Sequence, residues 1–261
     1  MLIGALLPLL LMFFGVNIVT VLLVGLGQAH FVHCYVYQYR AGKMDADFFA
    51  KWVFGLTSAG AACFYLGDDV MIPAALVFIL HQFFDDMYLY RKSTSRTDYI
   101  QLGLVLMACA TIAVFEEHTI ARQIAAAAML LSFGIGLIAK ERHIFWTLSL
   151  PFGVPLLYVL WNYQQGDWLI PLGIIIVSHY LRWLIYVYQS RNDAQKPMFF
   201  TEALILNAMF VLYAVATVSG QYNEMLSMAL QGLFSLQAFV IWTMAHIAST
   251  IRPRWMKTTG F

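Results

Sequence analysis

MLIGALLPLLLMFFGVNIVTVLLVGLGQAHFVHCYVYQYR, residues 1–40, decides the fold, because its one charged side chain is the last, Arg40. The run exceeds the ~7–15 apolar residues of a secretory signal and lacks the basic residues that open one. It reads as a membrane helix over 14–38, entered through an apolar segment containing Pro8. A single straight helix from Leu2 to Arg40 would be about 58 Å long, against a hydrocarbon core of about 30 Å. A break or an interfacial start is therefore expected.

Working outward, the whole chain has the same character. Of 261 residues, 61% are apolar or aromatic and 11% are charged. Soluble domains carry about 25% charged residues. With 15 basic and 14 acidic side chains, this chain cannot cover a water-facing surface, which excludes a soluble globular protein. A net charge of +1 argues against a nucleic-acid partner. The three cysteines, Cys34, Cys63 and Cys109, stand apart in apolar stretches and form neither a disulfide framework nor a CxxC pair. Lipid is the expected surrounding.

Further apolar runs of spanning length lie near 49–66, 70–90, 99–115, 119–139, 144–163, 168–189, 201–219 and 224–250. The expectation is an all-α, nine-span helical bundle forming one transmembrane domain over 1–261. A kink is expected at Pro151 and Pro155, tolerable where neighbours satisfy the carbonyls that the prolines free. Basic residues set the orientation. Arg40, Lys43, Lys51, Arg91, Lys92, Arg96, Lys140, Arg142, Arg191, Lys196, Arg252, Arg254 and Lys257 fall on one side. Arg122 falls on the other, with Asp68, Asp69, Glu116, Glu117, Asp167 and Glu224. The C-terminus is thus expected in the cytoplasm and the N-terminus outside, in a multi-pass protein of a bacterial inner membrane.

Ionisable groups inside spans are costly and mark function by default. The first, third, seventh and ninth expected helices carry His30 and His33, His81, His179, and His246. Counted back from Arg40, Arg91 and Arg191 at 1.5 Å per residue, His30, His81 and His179 lie about 15, 15 and 18 Å from the cytoplasmic boundary. His33 and His246 lie about 10 and 9 Å from it by the same count. A lone histidine in such a helix more often hydrogen-bonds to a neighbouring helix than binds a metal. Three at one depth point to a metal or a haem. His81 and Asp85 share a helix face at i,i+4, and Arg182 lies on the face of His179. Two histidines and a carboxylate with open positions suit non-haem iron(II). Asp85 and Arg182 are the candidate catalytic pair, the alternative being a plain intramembrane ion pair. His30, His33, His81, His179 and His246 are the candidate ligands. Asp86 is expected to face a cytoplasmic loop or Arg91, His118 and His143 to be solvated, and Cys34 to serve helix packing.

The order and approximate spacing of His30 or His33, His81 and His179 resemble the Brp/Blh family of membrane β-carotene 15,15′-dioxygenases. That family has Pro-His-Gly where this chain reads GQAHFVHCY, and a second histidine where Trp183 stands. The resemblance implies a polytopic enzyme that cleaves a carotenoid at an iron held by histidines of several helices. Three functions follow from the residues. The first is an iron-dependent oxygenase acting on a lipophilic or isoprenoid substrate, a carotenoid being what the resemblance implies, with an electron donor or partner membrane subunit where the reaction needs one. The second is a haem b subunit in quinone-linked electron transfer. The third is a transporter or assembly subunit with a His/Asp proton path. A prenyltransferase would need two aspartate-rich loops on one side, and Asp68–Asp69 and Asp85–Asp86 fall on opposite halves.

Overall fold

A computed structural model describes residues 7–13, 15–90, 92, 94–115, 117–140, 142–162, 168–219 and 231–250. All regular structure among them is helical. A 3-10 helix, Leu7–Phe13, precedes α1 (Gly15–Arg40). Then follow α2 (Ala46–Leu66), α3 (Met71–Leu89), α4 (Arg96–Phe115), α5 (Thr119–Ile138), α6 (Leu150–Trp161), α7 (Leu169–Ser190), α8 (Lys196–Ser219) and α9 (Leu236–Thr250). Six helical segments are long and apolar enough to cross a membrane, with 46–89 counted as one segment. Phe64, Ile138 and Leu212 are exposed on these helices, a surface suited to lipid and not to water. This is the make-up of a multi-pass membrane protein. Arg91, Glu116, Asp167, Glu224, Arg252, Arg254 and Lys257, which enter the charge count above, lie outside the described residues, as do the first residues of the expected last span.

Several helices start earlier than their apolar runs. Asp45 caps α2 by accepting the Phe48 amide at 2.9 Å. Ser95 and Asp98 form a reciprocal box at the start of α4: the Ser95 amide donates to Asp98 Oδ2 at 2.7 Å, and the Asp98 amide donates to Ser95 Oγ at 3.3 Å. Asn192 Oδ1 takes the Gln195 amide ahead of α8. Between α2 and α3 the helix is interrupted by a 3-10 turn, Gly67–Val70, where Gly67 has φ +56°, a conformation that favours glycine.

The prolines act one turn ahead of themselves. Pro151 has no N–H for the carbonyl of Thr147, four residues earlier, and Phe145–Ser149 widens into a π turn before α6. Gln82 Nε2 on α3 donates to that carbonyl at 2.7 Å. The freed acceptor is thus satisfied by a neighbouring helix, as lipid surroundings require. α6 remains helical through Pro155.

The described residues form two compact units. One comprises 7–20 and Ala75–Ile185, the other Val21–Ala74 and 186–250. In the first, α4 and α5 pack along each other. Their buried positions are mostly small or aliphatic: Val105, Ala108, Cys109 and Ile112 on α4, and Ala121, Ala125 and Ala128 on α5. In the second, α2 packs along α9. Gly55 makes that approach possible, because a Cβ there would lie 2.6 Å from the Met244 carbonyl oxygen and 2.9 Å from Ala245 Cα. Ala59, one turn on, is also buried, giving the small-x-x-x-small spacing by which membrane helices come close.

Gly55→Ala is therefore expected to destabilise the protein by about 1–3 kcal/mol, read as a lower apparent Tm in detergent. Gly60→Ala, whose Cβ would meet nothing within 4 Å, is the control and should leave the Tm in place. Equal effects from the two substitutions would contradict this packing.

Candidate metal centre

In the first unit, three groups from two helices converge. His81 and Asp85 stand one turn apart near the middle and lower half of the 19-residue α3. His179 stands at the middle of the 22-residue α7. Each offers one ligand atom, and the three atoms lie within 4.8 Å of one another. His179 Nε2 is 3.7 Å from Asp85 Oδ2, and the His81 and His179 rings are 5.7 Å apart, centroid to centroid. Phe78, one turn before His81, meets the His179 ring edge-on at 5.9 Å and closes that side with apolar surface. His81 and His179 are buried. Ligand bonds of about 2.0–2.2 Å place neighbouring N and O donors about 3.0–3.4 Å apart, so a bound ion would draw the three donors together from their present spacing, which is 3.7 Å for His179 and Asp85.

An ion pair beside the group fixes it. Asp86 Oδ2 accepts from Arg182 Nη2 at 2.9 Å and Asp86 Oδ1 from Arg182 Nε at 3.4 Å, with both side chains essentially inaccessible. Ser178 Oγ takes the Arg182 Nη1 donor. Here the structure corrects the expectation drawn from sequence. Arg182 is paired with Asp86 and not with Asp85, and Asp86 faces α7 and not a cytoplasmic loop. The physical reason is the ~100° per residue of a helix, which aims adjacent carboxylates at different neighbours. Arg182 lies three residues after His179 on α7, so the one bond that neutralises Asp86 also sets the register that brings His179 to Asp85. With the arginine charge taken by Asp86, the Asp85 carboxylate faces two imidazoles, a donor set that a divalent cation completes.

His143 is also corrected. It is buried, with its ring 5.2 Å from that of Tyr90, and not solvated. Burial first, then the nearby Arg182 and Lys92 charges, push its imidazole down to about 4, so it is neutral at ordinary pH. Exposed His118 behaves as expected.

The remaining candidate ligands belong to the second unit. His30 and Cys34 on α1 and His246 on α9 offer ligand atoms that also lie within 4.8 Å of one another, and all three residues are buried. His33, likewise buried, does not join that group. Its ring lies 6.1 Å from Phe199, in the neighbourhood of the Arg40–Glu202 pair. The sequence reading drew His30, His81 and His179 into one layer. The structure divides them, His81 and His179 meeting Asp85 in one unit and His30 meeting Cys34 and His246 in the other. Cys34 is the ligand-type residue that sequence reasoning set aside; the signal for it was its i,i+4 spacing from His30. Against known proteins, the chain matches no family model, no curated protein and no solved structure.

Arg182→Met leaves Asp86 as a buried charge without its partner and should cost about 3–5 kcal/mol. The charge-neutral double variant Asp86→Leu/Arg182→Met should recover much of that loss. Chemical or thermal unfolding in detergent measures both. A double variant no better than the single one would show that the pair does not act as a unit.

Proposed function

We propose that this chain is an integral-membrane, non-haem iron oxygenase acting on a lipophilic substrate of the isoprenoid or carotenoid class. The observation that carries this reading is the convergence of His81, Asp85 and His179 on one point in the interior of apolar helices. Two imidazoles and one carboxylate would leave further positions of an iron(II) ion open to a second reactant. Iron(II) bound there supplies the activation of O₂. His81 and His179 serve as neutral nitrogen ligands, and Asp85 adds the negative charge that favours a cation over a neutral guest. Arg182, paired with Asp86, positions His179.

Depth favours this chemistry. Both α3 and α7 carry their histidine near mid-helix, where water is scarce and where O₂ and isoprenoids partition together. Oxidative cleavage of a carbon–carbon double bond suits such a site, because both atoms of O₂ enter the two carbonyl products and no outside reductant is consumed. A hydroxylation would instead call on an electron-donor partner. The resemblance of the histidine order to the Brp/Blh dioxygenases supports the cleavage reading. The accompanying topology is nine spans with the N-terminus outside and the C-terminus cytoplasmic, in a bacterial inner membrane. The thirteen-to-one division of basic residues in the sequence supports that orientation.

Elemental analysis and a visible spectrum of the detergent-purified protein test the proposal. Iron without a Soret band is expected, and His81→Ala or Asp85→Asn should lower bound iron roughly tenfold or more. A Soret band would replace the proposal with a haem subunit, and a protein holding neither iron nor haem would point to transport. Full iron retention in His81→Ala would overturn the ligand assignment.

A further inference from the structure

The second unit holds a donor set of different chemistry. Cys34 Sγ lies 3.6 Å from His30 Nδ1 and 3.7 Å from His30 Nε2. The His30 and His246 rings are 5.1 Å apart at 66°. Around them stands an aromatic shell: Phe31 lies 5.0 Å and Tyr35 6.0 Å from the His246 ring, and Phe239 stacks on Phe31 at 5.8 Å. Tyr35 is itself held in place, its hydroxyl accepting from Trp52 Nε1 at 3.0 Å. His246 is carried on α9, and the close approach of that helix at Gly55 fixes where it stands.

We infer that His30, Cys34 and His246 form a second metal site, one that takes a thiophilic ion of the zinc class. With Zn–S of about 2.3 Å, Zn–N of about 2.05 Å and tetrahedral angles, a sulfur and a nitrogen on one ion lie about 3.6 Å apart. The observed sulfur–nitrogen spacing is close to that value, and because Sγ stands almost equally far from both ring nitrogens, binding turns the His30 ring so that one nitrogen faces the ion. One thiolate and two imidazoles suit zinc or copper(I) better than the harder carboxylate-containing set of His81, Asp85 and His179. The two groups thus sort metals by donor softness. An ion in the softer one ties α1 to α9 and keeps a fourth position for water or another ligand. Binding releases the thiol proton of Cys34. This inference stands apart from the proposed iron chemistry, since it uses none of the same residues.

Cobalt(II) is the probe, because a thiolate ligand adds a sulfur-to-cobalt charge-transfer band to its spectrum. Full-length protein in detergent is stripped with a chelator and titrated with Co(II). The parent should show the band, Cys34→Ser should lose it, and His81→Ala should keep it. In parallel, Zn(II) should slow alkylation of Cys34 by roughly tenfold or more, followed by mass spectrometry of its peptide. That second measurement decides the matter on the parent protein if Cys34→Ser fails to fold. A parent without the band, a band lost in His81→Ala, or alkylation of Cys34 indifferent to Zn(II) would each overturn the inference and leave a Cys34 thiol hydrogen-bonded to His30. Loss of iron in His81→Ala together with an intact cobalt–thiolate band separates this site from the iron reading.

Discussion

The buried pair of Asp86 and Arg182 is the constraint on which the first unit's chemistry depends. Two opposite charges taken out of water are tolerated only with close, well-aligned bonds between them, and such a pair admits very few arrangements of the helices that carry it. Here one partner sits on α3 and the other on α7. Sliding α7 by a single residue would move the guanidinium ~1.5 Å along the axis and turn it by ~100°. That motion would separate the pair and withdraw His179 from Asp85. The ion pair therefore acts as a register pin, and the neighbouring carboxylate is available for a different task.

The same pin explains why Gln82 and Thr147 matter. Gln82 follows His81 directly and reaches the carbonyl that Pro151 leaves without a donor. α3 is thus fastened at two points one turn apart, to the π turn ahead of α6 through Gln82 and to α7 through Asp86. A helix held in this way presents His81 and Asp85 with little freedom, which a metal site needs if its ligands are to meet without a large rearrangement.

Much of this was legible in the sequence, and the omissions have physical causes. The scarcity of charge gave the class, and apolar run lengths gave the helices, because lipid demands continuous apolar surface over a fixed thickness. Helix starts fell outside those runs. The capping groups at Asp45, Ser95 with Asp98, and Asn192 are polar and read as loop. Counting back from the basic residues assigns His30, His81 and His179 one depth, but such a count carries no information about which way a side chain faces. Histidines assigned the same depth by such a count can have different partners, and His30 meets His246. The choice between Asp85 and Asp86 for Arg182 has the same origin, since spacing along α3 cannot tell where α7 stands. Cys34 was passed over because a buried cysteine is usually packing. Among the described residues it is His246, more than two hundred residues away in the chain, that gives it a second neighbour with a ligand atom.

The two donor groups differ as metal ligands should when they discriminate, one with a carboxylate and the other with a thiolate. The central claim concerns the carboxylate group and is most directly tested by iron K-edge X-ray absorption on the purified protein in detergent. The account predicts nitrogen and oxygen neighbours alone at about 2.0–2.2 Å, with the outer-shell pattern of two imidazoles. Sulfur scattering at about 2.3 Å, or iron without imidazole neighbours, would contradict it.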